Sequence, residues 1–113
     1  MKREQRLRAP AEFRRVRDVA ARGWPHPLVV LYIAPNELGR TRVGITVSGR
    51  VGKAVVRNRV RRRLREALTE RFERLPACSD LVISARPASA NASWAELQAA
   101  LDSVLNRAER RRA

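Results

Sequence analysis

Residues 42–48, RVGITVS, and residues 51–75, VGKAVVRNRVRRRLREALTERFERL, carry most of what the chain says about its fold. The first stretch alternates with period two. Val43, Ile45 and Val47 point one way, Arg42, Thr46 and Ser48 the other, the pattern of a strand with one apolar face. The second changes to a period near 3.6. Val56, Val60, Leu64 and Ala67 form one stripe of a helix predicted over residues 53–75, with Pro76 as its stop. A strand running directly into a long helix with an apolar stripe requires a sheet for that helix to lie on.

Working outward, residues 28–34, LVVLYIA, are an apolar, β-branched run preceded by Pro27 and closed by Pro35 and Asn36. The connecting residues 35–40, PNELGR, have turn composition, which predicts an antiparallel hairpin between this strand and residues 42–48. Upstream, Phe13, Val16, Val19 and Ala20 recur at helical spacing between Pro10 and Gly23, so a short basic helix is predicted over residues 10–22. Downstream, residues 81–86, LVISAR, read as a strand. Ser93 and Glu96 form a capping box that opens a last helix, with Trp94, Leu97, Leu101, Val104, Leu105 and Ala108 on its core side. The expected order is helix, strands, helix, strand, helix: a small α/β (α+β) two-layer sandwich with the helices on one sheet face and the other face open. Residues 1–113 read as a single domain with flexible basic ends, residues 1–6 as a polar arm and Arg110, Arg111 and Arg112 as an exposed tail.

Charge narrows the function. The formal balance is +14, from 25 basic and 11 acidic residues, and Lys2 and Lys53 are the only lysines. Such a field attracts polyanions, and the guanidinium fork suits phosphate. The single Cys78, read as an inert and partly buried thiol, rules out an intramolecular disulfide, and with the single His26 it supplies too few ligands for a zinc site. No apolar run has signal-peptide or membrane-spanning length, so the chain reads as cytoplasmic with no membrane partner.

From Lys53 to Arg65, seven of thirteen residues are basic and none is acidic. With Val60 at zero on a helical wheel, Arg57 falls at about 60°, Arg61 at about 100°, Arg65 at about 140°, Asn58 at about 160° and Arg62 at about 200°. The arc lies beside the apolar stripe, so one helix can dock in the core and present a row of guanidinium groups. A solvated surface helix normally mixes charges at i,i+4. Here Arg57, Arg61 and Arg65 repel one another unless a polyanion neutralises them. Arg59 and Arg63 fall on the other flank, placed to pair with acidic neighbours or to snorkel over the core. Asn58 adds an amide suited to a 2′-hydroxyl or a base edge.

The strands offer a second surface. If Val29, Leu31 and Ile33 meet the helices, Tyr32 shares the open face with Thr46, Ser48, Ser84 and Arg86, and Phe13 can join it from the first helix. An aromatic among hydroxyls and an arginine suits stacked single-stranded nucleic acid. Periodicity alone leaves Tyr32 equally readable as a half-buried edge residue and Phe13 as core. Catalytic constellations are missing: no H-x-x-x-H pair, no G-x-S-x-G, and a failed P-loop, with Val47 at the first glycine position and Ala54 in place of Ser/Thr. The long basic helix has only a strand upstream, not a helix-turn-helix partner, so DNA is not an expected partner.

The run Arg42-Val43-Gly44-Ile45-Thr46-Val47-Ser48, then Val51-Gly52-Lys53-Ala54-Val55-Val56-Arg57-Asn58-Arg59, continued by Arg61, Arg62, Leu64, Arg65 and Glu66, resembles the signature of the bacterial ribonuclease P protein component. Leu7, Glu12 and Phe13, Leu31 and Tyr32, and residues 80–86 extend the resemblance over nearly the whole chain. It implies an α-β-β-β-α-β-α order with a left-handed crossover and a short extra strand near residues 22–27, which periodicity does not reveal. It also implies a subunit that binds a catalytic RNA and the 5′ leader of precursor tRNA and promotes removal of that leader. The RNA would perform the hydrolysis with Mg2+ that it mainly holds itself, leaving the protein no cofactor and no catalytic residue. By position, Lys53, Arg57, Asn58, Arg59, Arg61, Arg62 and Arg65 would contact the catalytic RNA. Phe13, Arg17, Tyr32, Thr46, Ser48 and Arg86 would line the leader cleft. Arg17 stands where the family often has a second aromatic, and Gly49 and Arg50 where it usually has two lysines. The rival expectation from charge alone is a ribosomal or other structural RNA-binding protein.

Overall fold

The computed structural model describes the backbone of residues 1–112 and the side chains of residues 1–111. Ala113 and the side chain of Arg112, the end of the expected basic tail and of the expected domain, lie outside the described residues. Among the described residues three helices, α1 (Pro10–Ala20), α2 (Ala54–Glu70) and α3 (Trp94–Arg112), pack on a mixed sheet of four strands. The strands are β1 (Trp24–Pro25), β2 (Val29–Pro35), β3 (Arg42–Val47) and β4 (Ser79–Ala85), in spatial order β1-β2-β4-β3. The short β1, which only the family resemblance implied, pairs antiparallel with β2 through Trp24 and Leu31.

The expected hairpin between β2 and β3 does not form. Strand β4 lies between them, antiparallel to β2 (Val29 opposite Ala85) and parallel to β3 (Val43 opposite Leu81). Burial explains the insertion. Leu81, Val82 and Ile83 are each fully buried, and consecutive apolar residues can all be covered only in a central strand. A buried carboxylate holds the split open. Asp80, 1% exposed, accepts from Asn36 Nδ2 at 2.7 Å where the chain leaves β2, and from Arg42 Nε at 2.9 Å and Nη2 at 2.8 Å where it enters β3. The crossover β3–α2–β4 thus joins adjacent parallel strands.

The expectation that all helices share one face is also corrected. Helices α2 and α3 cover the face of Leu31, Val43, Leu81 and Ile83, using Val60, Leu64, Leu68, Leu97, Leu101 and Val104. Helix α1 covers part of the opposite face, where Val16 and Leu7 pack with Ala34 and Val82. Each such aliphatic side chain contributes about 1.5–3 kcal/mol on full burial, so α1 is anchored rather than loosely attached. Its N-terminus starts at Pro10 and is closed by Glu12, whose carboxylate accepts from the backbone N–H of Arg8 and Ala9 at 2.8 Å each.

The ends also differ from expectation. Residues 1–6 are not a free arm: Arg3–Gln5 form a 3-10 turn, Arg6 bridges to Val43, and the Leu7 N–H donates to the Val43 carbonyl at 2.9 Å. The outer edge of β3 offers these unpaired groups, and the buried Leu7 seats the segment there. Helix α2 stops at Glu70, earlier than the expected residue 75, and a 3-10 turn over Phe72–Arg74 follows. There the Arg71 guanidinium folds back to the Ala67 carbonyl at 3.0 Å and joins Asp102 of α3 at 2.6 Å. Helix α3 runs on through the residues expected as a flexible tail, and its capping box is present, with the Glu96 N–H donating to Ser93 Oγ at 3.0 Å. Cys78 is exposed, not partly buried, in a turn with φ of 51°.

Candidate nucleic-acid interface

Helix α2 carries its charge as the wheel requires. Val60 and Leu64 are buried, while Lys53, Asn58, Arg62 and Arg65 are exposed and Arg57 and Arg61 half-buried. Asn58 Oδ1 accepts from Arg61 Nη1 at 3.2 Å, which aligns the two side chains on the outer surface. Among the described residues none of these cations pairs with a carboxylate. A row of like charges is therefore left to an external anion. Arg59 is separated from the rest: half-buried, it donates to the Ala90 carbonyl at 2.9 Å. Arg63 does the same to Ala92 at 3.3 Å. These two flank arginines neither meet acidic neighbours nor simply snorkel, because carbonyls of the turn before α3 lie within their reach.

The second surface lies on the sheet face that α1 leaves uncovered. Arg17, Tyr32, Thr46, Ser48 and Ser84 line one cleft, with Val47 and Ala85 at its floor. The register produces this grouping, since Thr46 and Ser84 are paired across β3 and β4 and their hydroxyls lie 2.7 Å apart. Phe13 borders the cleft rather than lining it, its ring seated on Gly44 beside Leu7. Arg86 stands exposed, one residue beyond the end of β4, and is not part of the lining. The structure thus brings together four of the six residues expected at the cleft, along with Ser84, which strand alternation places on the same face.

The ion network that holds α1 on the sheet, at the far end of β3 and β4 from the cleft, was not legible in the sequence. Arg42 donates to Glu12 through Nη1 at 2.6 Å and to Asp80 through Nε and Nη2, and Arg15 bonds the Pro35 carbonyl at 2.7 Å and reaches Asp80 at 3.5 Å. One ion network thereby clamps α1 to both β3 and β4. Burial pushes the Asp80 carboxyl upward, but hydrogen bonds from Arg42 and Asn36 outweigh it and hold the group below its ordinary value. The backbone N–H groups of Ala9 and Arg8, then Arg42, depress Glu12. A single acidic residue ahead of an apolar strand gave no pattern by which its partners, thirty and more residues away, could be found.

Residues 1–109 match the family model described as Ribonuclease P. The chain belongs to the ribonuclease P protein family. It is similar to the ribonuclease P protein component of Herpetosiphon aurantiacus, 40% identical over 96% of this chain and 88% of the relative. That of Roseiflexus castenholzii is 42% identical over the same shares. The solved Staphylococcus aureus RNase P protein superposes with a TM-score of 0.84 at 28% identity, covering 92% of this chain and 94% of that one. The Thermotoga maritima RNase P protein, 24% identical, shares the fold with a TM-score of 0.80 over 90% of this chain and 96% of that one. The matched residues include the Arg57-Asn58-Arg59 run of α2 and all four strands of the mixed sheet.

Proposed function

We propose that this chain is the protein component of ribonuclease P in tRNA 5′ processing, contributing two RNA-binding surfaces to a ribonucleoprotein whose RNA carries out the hydrolysis. The observation that carries the reading is the unpaired cationic arc on α2 in a chain of this family. Lys53, Arg57, Asn58, Arg61, Arg62 and Arg65 hold the catalytic RNA, mainly through phosphates, while Arg59 braces α2 against the turn before α3. Across the sheet, the cleft of Arg17, Tyr32, Thr46 and Ser48 receives the single-stranded leader of precursor tRNA: Tyr32 offers a stacking face, the hydroxyls meet 2′-OH groups and Arg17 meets a phosphate. Phe13 shapes the cleft wall and Arg86 extends the cationic surface beyond it. Mg2+ in the assembly is held mainly by RNA, and the protein's part in its chemistry is electrostatic, reducing repulsion between two RNAs. Among the described residues no helix is long and apolar enough to cross a membrane, and we place the protein in the cytoplasm with the RNAs it serves.

Reconstitution with a bacterial ribonuclease P RNA tests this reading. Added protein is expected to lower the Mg2+ needed for cleavage of a precursor tRNA at its mature 5′ end, and protein alone to leave the precursor intact. Binding to that RNA without any change in cleavage would return the chain to a ribosomal or other structural RNA-binding role.

A further inference from the structure

A third cationic surface lies away from both the α2 arc and the leader cleft, at the β1 edge of the sheet. Trp24 of β1 pairs with Leu31, which places its side chain on the α3 face. Around it a cavity of about 570 Å³ is walled by Arg22, Arg107, Arg110 and Arg111, and among the described residues no acidic side chain lines it. The Arg111 guanidinium sits 5.3 Å from the centre of the Trp24 ring, and Arg107 is fastened to the Pro25 carbonyl. Arg22 and Arg110 are exposed and make no hydrogen bond or ion pair among the described residues. Four like charges round one indole repel one another, a repulsion that an RNA phosphate would offset, and a base would take the π-face by displacing Arg111.

This surface adjoins the cleft at one residue, Gly23, which lines the cavity and lies against Tyr32 of the cleft. Strand β1 covers β2 only at Val30 and Leu31, so the outer edge of β2 beyond Leu31 has no strand partner. A groove follows that edge from the end of α1, at Val19 and Ala20, past Arg22 and Gly23 to Trp24 and Arg111. Gly23, with φ of 71°, has the Tyr32 ring against its other side: a Cβ there would stand 2.9 Å from Tyr32 Cδ1. Tyr32 and Trp24 therefore lie on opposite faces of the sheet with one side-chain-free residue between them.

We propose that the Trp24 groove is a second subsite for single-stranded RNA, which takes leader nucleotides upstream of those in the cleft by stacking a base on Trp24 and holding phosphates with Arg22 and Arg110. The path rests on the leader reading of the cleft; the stacking site itself does not. The only other tryptophan, Trp94, is about 25 Å away along α3, so Trp94→Phe makes Trp24 the sole indole reporter. In that variant, single-stranded oligoadenylate is expected to quench the emission, duplex RNA to do so far less, and Arg22→Ala with Arg110→Ala to weaken the quenching roughly tenfold and flatten its salt dependence. In the reconstituted holoenzyme, lengthening the leader past the cleft is expected to raise precursor affinity, and the same double variant to abolish that increment while leaving short-leader affinity unchanged. Absent quenching at saturating RNA, equal quenching by duplex, or equal losses for short and long leaders each overturns the subsite. Quenching that persists while Tyr32→Ala leaves short-leader affinity untouched would instead remove the cleft reading and keep the stacking site.

Discussion

The Phe13 ring of α1 lies on Gly44 of β3 so closely that a Cβ at residue 44 would stand 2.3 Å from Phe13 Cε1. An absent side chain in the sheet thus seats the aromatic that borders the cleft of Arg17, Tyr32, Thr46 and Ser48. Gly44→Ala forces the ring out, and because α1 is clamped by Val16 and the Glu12–Arg42 pair, the helix cannot simply follow. The expected cost is about 1–3 kcal/mol of stability, as for other overpacked sites, measured by thermal or denaturant unfolding. Precursor affinity is expected to fall more than affinity for the catalytic RNA alone. A variant as stable as the parent would show that the ring moves freely.

Asp80 carries a second expectation. Its carboxyl is held below its ordinary value of 3.8, so the ionised form is favoured by folding. That stability is fully present above pH 3.8 and is lost as pH falls through the lower value of the folded protein. Asp80→Asn removes this contribution and leaves Arg42 with Glu12 alone, at a cost of about 3–5 kcal/mol for a broken buried pair. Unfolding measured from neutral to acid pH should show the variant less stable at neutral pH and the gap to the parent narrowing as the medium becomes strongly acid. A constant gap would remove the ion network as its cause.

On α2, Arg61→Ala with Arg65→Ala is expected to leave unfolding within about 0.5 kcal/mol of the parent, since among the described residues neither has a carboxylate partner and neither is part of the core. Catalytic-RNA binding should weaken and its logarithmic salt slope fall by about 2, one for each phosphate no longer neutralised. Binding titrations over a range of KCl concentrations read both numbers, and unchanged affinity would sink the role assigned to the arc. Arg59→Ala should behave differently and lose stability, because it gives up the bond to the Ala90 carbonyl.

Tyr32→Ala is expected to weaken binding of leader-bearing precursor by roughly tenfold or more, the worth of one base stack, with mature tRNA affected little. Equal losses for the two RNAs in the holoenzyme would refute the cleft.

Most of the elements were legible because their signals are local. The capping box at Ser93 and Glu96, the stripe from Val56 to Ala67 and the alternation of residues 42–48 each involve neighbours a few residues apart, and the structure reproduces all three. The face containing Tyr32, Thr46 and Ser84 was legible for the same reason, since strand alternation assigns faces without knowledge of strand order. The pairing of β2 with β3 was not. A turn-like stretch at residues 35–40 is compatible with a hairpin or with two strands held one position apart, and the choice depends on β4, some forty residues later.

By itself, then, the sequence determined that a cationic helix beside a small sheet would meet a polyanion, because charge and periodicity are properties of the chain. Tertiary structure alone decided which strand stands at the centre, that α1 crosses to the second face and that Arg59 turns inward to a carbonyl while Arg61 stays out. It also decided that Trp24, Arg22 and the arginines of α3, nearly ninety residues apart, share one groove. Each of these depends on which distant groups can be buried or hydrogen-bonded together, and such pairings leave no local periodicity in the chain.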